Sequence, residues 1–93
     1  TLGDAKKGLE YEEKALKMRQ ALYLDKDHPD VADSLNSVGV AYHTLGDAKK
    51  GLEYCEKALN MAKIIYGEDS EQIKIYQKNV ENLRKRENLC VIS

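Results

Sequence analysis

The sequence predicts an all-α fold, a stack of antiparallel helix hairpins with about four helices. Residues 1–18 return as residues 44–61, with only two of the eighteen positions changed. Helix-forming Ala, Leu, Lys and Glu are abundant, whereas Phe and Trp are absent and the chain has a single Pro. Apolar residues recur at spacings of three and four, which is the period of an α-helix. A repeat of this length with helical patterning is typical of a solenoid-like stack.

Length and charge narrow the class of protein. The chain has 93 residues and a net charge of −1, which argues against a nucleic-acid binder held by bulk positive charge. No apolar run approaches the roughly 18 residues that a membrane span needs, and no signal peptide is visible. Cys55 and Cys90 lie far apart without metal-ligand spacing, which favours a reducing, cytoplasmic location over a disulfide scaffold. The chain begins inside a motif and not with Met, so we expect a C-terminal fragment of a longer array.

Turn and cap residues divide the repeat array, residues 1–89, into four expected helices and leave a tail, residues 90–93. We expect the helices at about 4–24, 29–45, 47–66 and 70–89. Gly3 and Gly46 can close a preceding helix in the left-handed conformation, and Asp4 and Asp47 are good N-caps for the next one. Gly67 ends the third helix.

The second and fourth helices carry their own start signals and apolar stripes. Pro29 suits the first position of a helix because its missing N–H would be unpaired there. Ser70 is the expected cap of the fourth helix. The two apolar stripes are Val31, Leu35, Val38 and Tyr42, and Ile73, Tyr76, Val80 and Leu83.

The chain resembles the tetratricopeptide repeat consensus at Leu35-Asn36-Ser37-Val38-Gly39-Val40-Ala41-Tyr42, Leu45-Gly46-Asp47, Gly51, Tyr54 and Glu56-Lys57-Ala58-Leu59. Its 42-residue period downstream and its linkers resemble the kinesin light chain variant of that repeat. The resemblance implies a right-handed superhelical stack in which Gly39 and Ala58 allow two helices to approach closely. It also implies a scaffold that binds proteins.

Two positions depart from the family pattern. Glu12 stands where the second copy has Cys55 and where the family usually has a large apolar residue. Glu81 stands where the preceding copy has Gly39. A charge there would be costly beneath another helix, so we expect the last helix to be a terminal cap that faces water.

The family resemblance implies a concave groove that binds an extended peptide or a partner helix. The groove residues it implies are Asp33, Asn36, Ser37, Val40 and His43 on the second helix, and Lys74, Lys78, Asn82, Lys85 and also Arg86 on the last. Asn36 can both donate to and accept from a peptide backbone. The lysines would attract an acidic segment or a C-terminal carboxylate, although such a row can also be a solubilising face.

The last four residues, Cys90-Val91-Ile92-Ser93, match a prenylation motif with Cys90 as the lipidated residue. Arg84-Lys85-Arg86 would supply the second, electrostatic signal that a single lipid needs for stable membrane binding. The alternative is an ordinary short tail.

Nothing in the sequence indicates an enzyme, a cofactor or a metal site. His28 and His43 lie at helix ends without a catalytic constellation around them, and Cys55 is expected to be buried and inert. We therefore predict a protein–protein interaction scaffold that binds a peptide or helix in the concave groove. The alternatives are a membrane-tethered adaptor prenylated at Cys90 and a purely structural C-terminal cap. Self-association through exposed repeat faces is a further expectation.

Overall fold

A computed structural model describes the backbone of residues 2–92 and the side chains of residues 3–85. It contains four helices: α1 (Leu2–Leu22), α2 (Pro29–Thr44), α3 (Ala48–Tyr66) and α4 (Glu71–Ile92). No strand is present in the described part of the chain. The predicted all-α fold with four helices is confirmed.

Side chains cap the starts of α2 and α3, and Asp47 is the cap that the sequence predicted for α3. The His28 Nδ1 atom accepts from the backbone N–H of Asp30 at 3.1 Å, and Pro29 is the first residue of α2. The Asp47 carboxylate accepts from the N–H of Lys50 at 3.1 Å. Each of these side chains satisfies one N–H that the first turn of a helix leaves unpaired.

The fourth helix also begins at its expected cap, and the third ends at its expected glycine. The Ser70 hydroxyl accepts from the N–H of Gln72 at 3.3 Å. Gly67 follows α3 with a φ of 86°, a backbone conformation that costs glycine little because it has no Cβ.

The first helix differs from the sequence expectation at both ends. It begins at Leu2, so Gly3 and Asp4 lie inside α1 and not before it. It ends at Leu22 because Leu24 and Asp25 adopt left-handed φ values of 55° and 59°. For residues other than glycine this conformation costs roughly 1–2 kcal/mol each. Leu24 occupies the place that Gly67 takes in the second copy.

A local network holds this unusual linker in place. The Tyr23 ring stacks on the His28 ring with centroids 3.6 Å apart, and the Tyr23 hydroxyl donates to Asp30 Oδ2 at 2.7 Å. This hydrogen bond to a carboxylate raises the pKa of Tyr23 above its usual value. The Arg19 guanidinium donates to the Asp30 carbonyl at 3.1 Å and to Ser34 Oγ at 2.9 Å. The contacts join the end of α1 to the start of α2.

The helices pack in chain order, so that α2 lies between α1 and α3, and α4 packs on α3. One core cluster runs through all four helices, and its buried members are Leu16, Val31, Ala32, Leu35, Val38, Ala58, Ala62, Ile73 and Tyr76. A smaller cluster of Cys55, Val80 and Leu83 lies between α3 and α4.

The helices α2 and α3 cross closely at Gly39 and Gly51. A Cβ added to Gly39 would lie 2.5 Å from Cys55 Sγ and 2.7 Å from the carbonyl oxygen of Gly51. The requirement for a small residue at Gly39 is therefore confirmed. Cys55 is fully buried as expected, and burial raises its thiol pKa to about 11. Its Sγ donates to the Asn36 carbonyl at 3.9 Å.

Candidate peptide-binding surface

Two polar contacts join α2 to α4. The Asn79 Nδ2 atom donates to Asn36 Oδ1 at 3.1 Å. The Tyr76 hydroxyl donates to the Asp33 carboxylate. Burial, together with this hydrogen bond, raises the pKa of Tyr76 far above its usual value, so the phenol remains a neutral donor. These contacts fix the two helices side by side.

Two hollows flank the Asn36–Asn79 pair, and together with that pair they form what we call the α2–α4 surface. The first has a volume of about 260 Å³ and is lined by Val40, His43, Asn79, Asn82 and Leu83. The second has a volume of about 250 Å³ and is lined by Asp33, Asn36, Tyr66, Gln72, Ile75 and Tyr76.

The α2–α4 surface offers both apolar and polar groups to a ligand. Val40 is 43% exposed and Ile75 is 66% exposed, so each hollow carries an accessible apolar side chain. Among the described side chains, the amide contact of Asn36 and Asn79 occupies one acceptor and one donor. The amide nitrogen of Asn36 and the amide oxygen of Asn79 stay available. One donor and one acceptor side by side match the C=O and N–H groups of a peptide backbone.

Five of the ten groove residues named from the sequence lie on this surface. Those that line its two hollows are Asp33, Asn36, Val40, His43 and Asn82. Ser37 lines a different hollow, which it shares with Asn36, Val40 and residues of α1.

The three lysines named from the sequence lie apart from both hollows. Lys74, Lys78 and Lys85 are exposed. At about 3.6 residues per turn they lie on the face of α4 opposite its buried stripe. They can therefore set the charge beside the surface without forming its walls. Arg86 and Cys90 lie outside the described side chains, so prenylation at Cys90 stays a prediction, which the intact mass of the protein from its own cells would test.

Sequence reasoning missed six lining residues of the surface, and Asn79 and Ile75 are the two on which its polar and apolar character depends. Asn79 lies 43 residues after Asn36, and Tyr76 lies 43 residues after Asp33. The repeat alignment shifts to 42 residues downstream, which pairs Asn36 with Lys78. A comparison at both offsets would have found Asn79. Ile75 gave no such signal, because an apolar residue beside a buried stripe is an ordinary helix position.

Other kinds of site find no support in the described residues. No group of three His, Cys, Asp or Glu side chains within residues 3–85 is arranged to hold a metal ion. No described helix combines the length and the apolar character needed to cross a membrane.

Antiparallel helix hairpins repeated every 42 to 43 residues define a helical repeat protein of the solenoid class. A family profile described as Tetratricopeptide repeat matches residues 1–63, more than half of the chain, and the chain belongs to that family. The match does not single out the kinesin light chain variant, and α4 lies beyond it. Searches of curated proteins and of solved structures gave no match. Tetratricopeptide repeats generally mediate protein–protein interaction and are typically non-enzymatic scaffolds.

Proposed function

We propose that the chain is a protein-interaction scaffold that binds a peptide segment or a partner helix on the α2–α4 surface. The observation that carries this proposal is the Asn36–Asn79 pair, which presents an unused donor and an unused acceptor between two hollows. A peptide backbone can pair with both groups whatever its sequence. Its side chains can then enter the hollows next to Val40 and Ile75, where sequence preference would arise.

We further propose a preference for acidic segments or for a C-terminal carboxylate. Lys74, Lys78 and Lys85 form an exposed row on α4, and none of them makes an ion pair with a described side chain. Their charges are thus available to a ligand. A row of like charges beside a binding surface raises the local concentration of oppositely charged ligands and speeds their association.

The test is an array of immobilised octapeptides of acidic, neutral and basic composition, probed with the folded protein at low and high salt. The strongest acidic binder is then resynthesised and its Kd measured. We expect the double substitution Lys78→Glu and Lys85→Glu to raise the Kd of that peptide by about tenfold and to leave the Kd of a neutral peptide unchanged. Asn36→Ala should weaken the binding of both peptides.

A matched control separates local charge from net charge. Lys14→Glu together with Lys49→Glu changes the net charge by the same amount at exposed positions on α1 and α3, and it should leave both affinities unchanged. Equal affinities for the Lys78 and Lys85 double variant and the original chain would reject the acidic preference. If Asn36→Ala left the affinity for the neutral peptide unchanged, the α2–α4 surface would be rejected as the binding site.

A second candidate function is that α4 closes the stack as a cap. Gly39 and Tyr42 are two of the α2 residues that meet α3, through Cys55 and Tyr54 respectively. The residues 42 positions later are Glu81 and Arg84, and both are exposed. A face with these charges does not fit against another apolar helix. If α4 is only a cap, Asn36→Ala should not change the binding of any peptide on the array, because the binding face lies elsewhere.

A further inference from the structure

The charge of the first hollow of the α2–α4 surface is set by His43. The other described residues that line this hollow are Val40, Asn79, Asn82 and Leu83. An imidazole gains a proton in the range from pH 5 to pH 8, whereas amide and aliphatic side chains stay neutral at any pH. The hollow is therefore neutral or positive according to the pH.

The His43 side chain is held at its base and free at its ring. A Cβ added to Gly51 would lie 3.2 Å from the Cβ atom of His43, so α3 packs closely against this point of α2. The side chain is half-buried. Its ring nitrogens make no hydrogen bond or ion pair with a described side chain. Both nitrogens are thus available to a ligand that enters the hollow.

The charged groups on α2 and α3 leave a protonated His43 without a counter-ion. His43 lies in the last turn of α2, where the negative end of the helix dipole favours a cation. The charged residues at the start of α3 are Asp47, Lys49 and Lys50, and the Asp47 carboxylate accepts from the N–H of Lys50. α1 contributes no described residue to this hollow. A ligand can therefore supply the missing negative charge.

A carboxylate is the group that fits the donors of this hollow. Protonated His43 and the Asn82 amide can each donate a hydrogen bond to one carboxylate oxygen. Lys78 and Lys85 each lie about one turn from Asn82 along α4 and are exposed, so they add positive potential from outside the walls. A phosphate group is usually held by clustered arginines, and no described Arg or Lys lines this hollow.

We propose that His43 binds a carboxylate of the ligand and strengthens the acidic preference of the α2–α4 surface as the pH falls from 8 to 6. This inference rests on the function proposed above. It adds the residue that contacts the acidic group and the pH range in which that contact forms. The lysines attract an acidic segment throughout this range, whereas His43 pairs with it only when protonated.

The direction of the pH dependence follows from the charges of the two partners. Peptide carboxylates stay ionised and lysines stay protonated between pH 6 and pH 8. Of these groups, only the imidazole changes its charge in this range. A bound carboxylate favours the protonated imidazole, and by reciprocity the protonated imidazole favours the bound carboxylate. The complex should thus become tighter as the pH falls.

The test is fluorescence anisotropy with the full chain at pH 6 and at pH 8 and constant ionic strength. The ligands are the strongest acidic octapeptide of the array and a neutral octapeptide, both without histidine. We expect the Kd of the acidic peptide to be about three- to tenfold lower at pH 6, as for a partly exposed, charge-assisted contact. The Kd of the neutral peptide should be the same at both pH values.

The two histidines of the chain provide a matched pair of variants. His43→Gln keeps a polar side chain that cannot gain a charge, and it should remove the difference between the two pH values. His28→Asn removes the histidine at the other end of α2 and keeps a side-chain acceptor for the N–H of Asp30. It should leave the difference unchanged. Circular dichroism checks that both variants keep the helical content of the original chain.

Two further peptides identify the source of the carboxylate. One carries an amide at its C-terminus, and the other carries Asn and Gln in place of Asp and Glu. The pH dependence should disappear in the peptide that lacks the carboxylate bound by His43. Retention of the full pH dependence in both peptides would exclude a carboxylate contact.

Equal Kd values of the acidic peptide at pH 6 and pH 8 would overturn this inference, as would a pH dependence that survives His43→Gln. Either result leaves the proposed function standing if Asn36→Ala still weakens binding. If Asn36→Ala has no effect on any peptide, the proposed function fails and this inference fails with it. The two failures are therefore distinguishable.

Discussion

Alanine substitutions at Gly8 and at Gly51 compare one residue in two copies of the same repeat. Both glycines lie inside helices, where Gly→Ala gains about 0.5–1 kcal/mol because glycine loses more backbone entropy on folding. The new methyl group at Gly8 meets nothing within 4 Å. We therefore expect Gly8→Ala to stabilise the protein by that full amount.

The same change at Gly51 places the methyl group against backbone. Its Cβ would lie 2.7 Å from the Gly39 carbonyl oxygen and 3.1 Å from the backbone nitrogen of His43. No rotation of a side chain can relieve these contacts, so α2 must move away from α3 and loosen the core. Overpacking of this kind typically costs about 1–3 kcal/mol. This cost cancels or exceeds the propensity gain, so Gly51→Ala should be neutral to destabilising.

The two variants should thus differ by about 1–3 kcal/mol in free energy of unfolding, because the propensity gain is common to both. Urea unfolding followed by far-ultraviolet circular dichroism measures this difference. Melting curves should separate the variants by at least about 4 °C for a chain of this size. Equal stabilisation by both substitutions would refute the reasoning, since it would mean that α2 and α3 do not cross as closely as the structure shows. The double variant should be additive, because the two sites share no contacts.

Two further predictions follow from the buried titratable groups. Burial raises the pKa of Cys55 from 9.0 to about 11 and raises the pKa values of Tyr42 and Tyr76 above 10.0. Because the fold favours the protonated forms, stability should be full below pH 9 and should fall as the pH rises through 9 and 10; urea midpoints that stay constant from pH 8 to 11 would contradict this. In a Cys90→Ser background, iodoacetamide at pH 8 should label Cys55 only through unfolding, because the buried thiol carries little thiolate. Labelling rates that do not rise in subdenaturing urea would show that the thiol is accessible in the native fold.

Local signals in the sequence predicted most of the fold because each one acts over a few residues. Pro29, Asp47 and Gly67 have roles set by their own backbone and side-chain chemistry, and the structure shows them in those roles. The end of α1 could not be predicted this way. Leu24 is not a residue type that favours the left-handed conformation, and its conformation depends on the tertiary network around Tyr23 and Asp30.

The candidate site was harder to predict from the sequence than the fold. The family resemblance named Asn36, but the repeat alignment at 42 residues pairs it with Lys78, and its partner Asn79 appears only at the offset of 43 residues. Lysines at helical spacing indicated a charged face, and Lys74, Lys78 and Lys85 are exposed. Whether that face borders a hollow or forms its wall depends on the rotation of α4 about its axis, which the packing of Ile73 and Tyr76 decides.

The chain-order packing of the helices has a consequence for how the protein opens. Each terminal helix rests mainly on one neighbour, whereas α2 and α3 are each covered on two sides. In a linear stack the free energy of opening is a sum of nearest-neighbour interfaces, so detachment of α1 or α4 leaves the central hairpin with its Gly39–Gly51 crossing intact. Within the four helices described here, α1 and α4 should therefore open before the central hairpin, and the α2–α4 surface borders the second of these openings. A ligand that bridges α4 to α2 would therefore stabilise the protein against the detachment of α4.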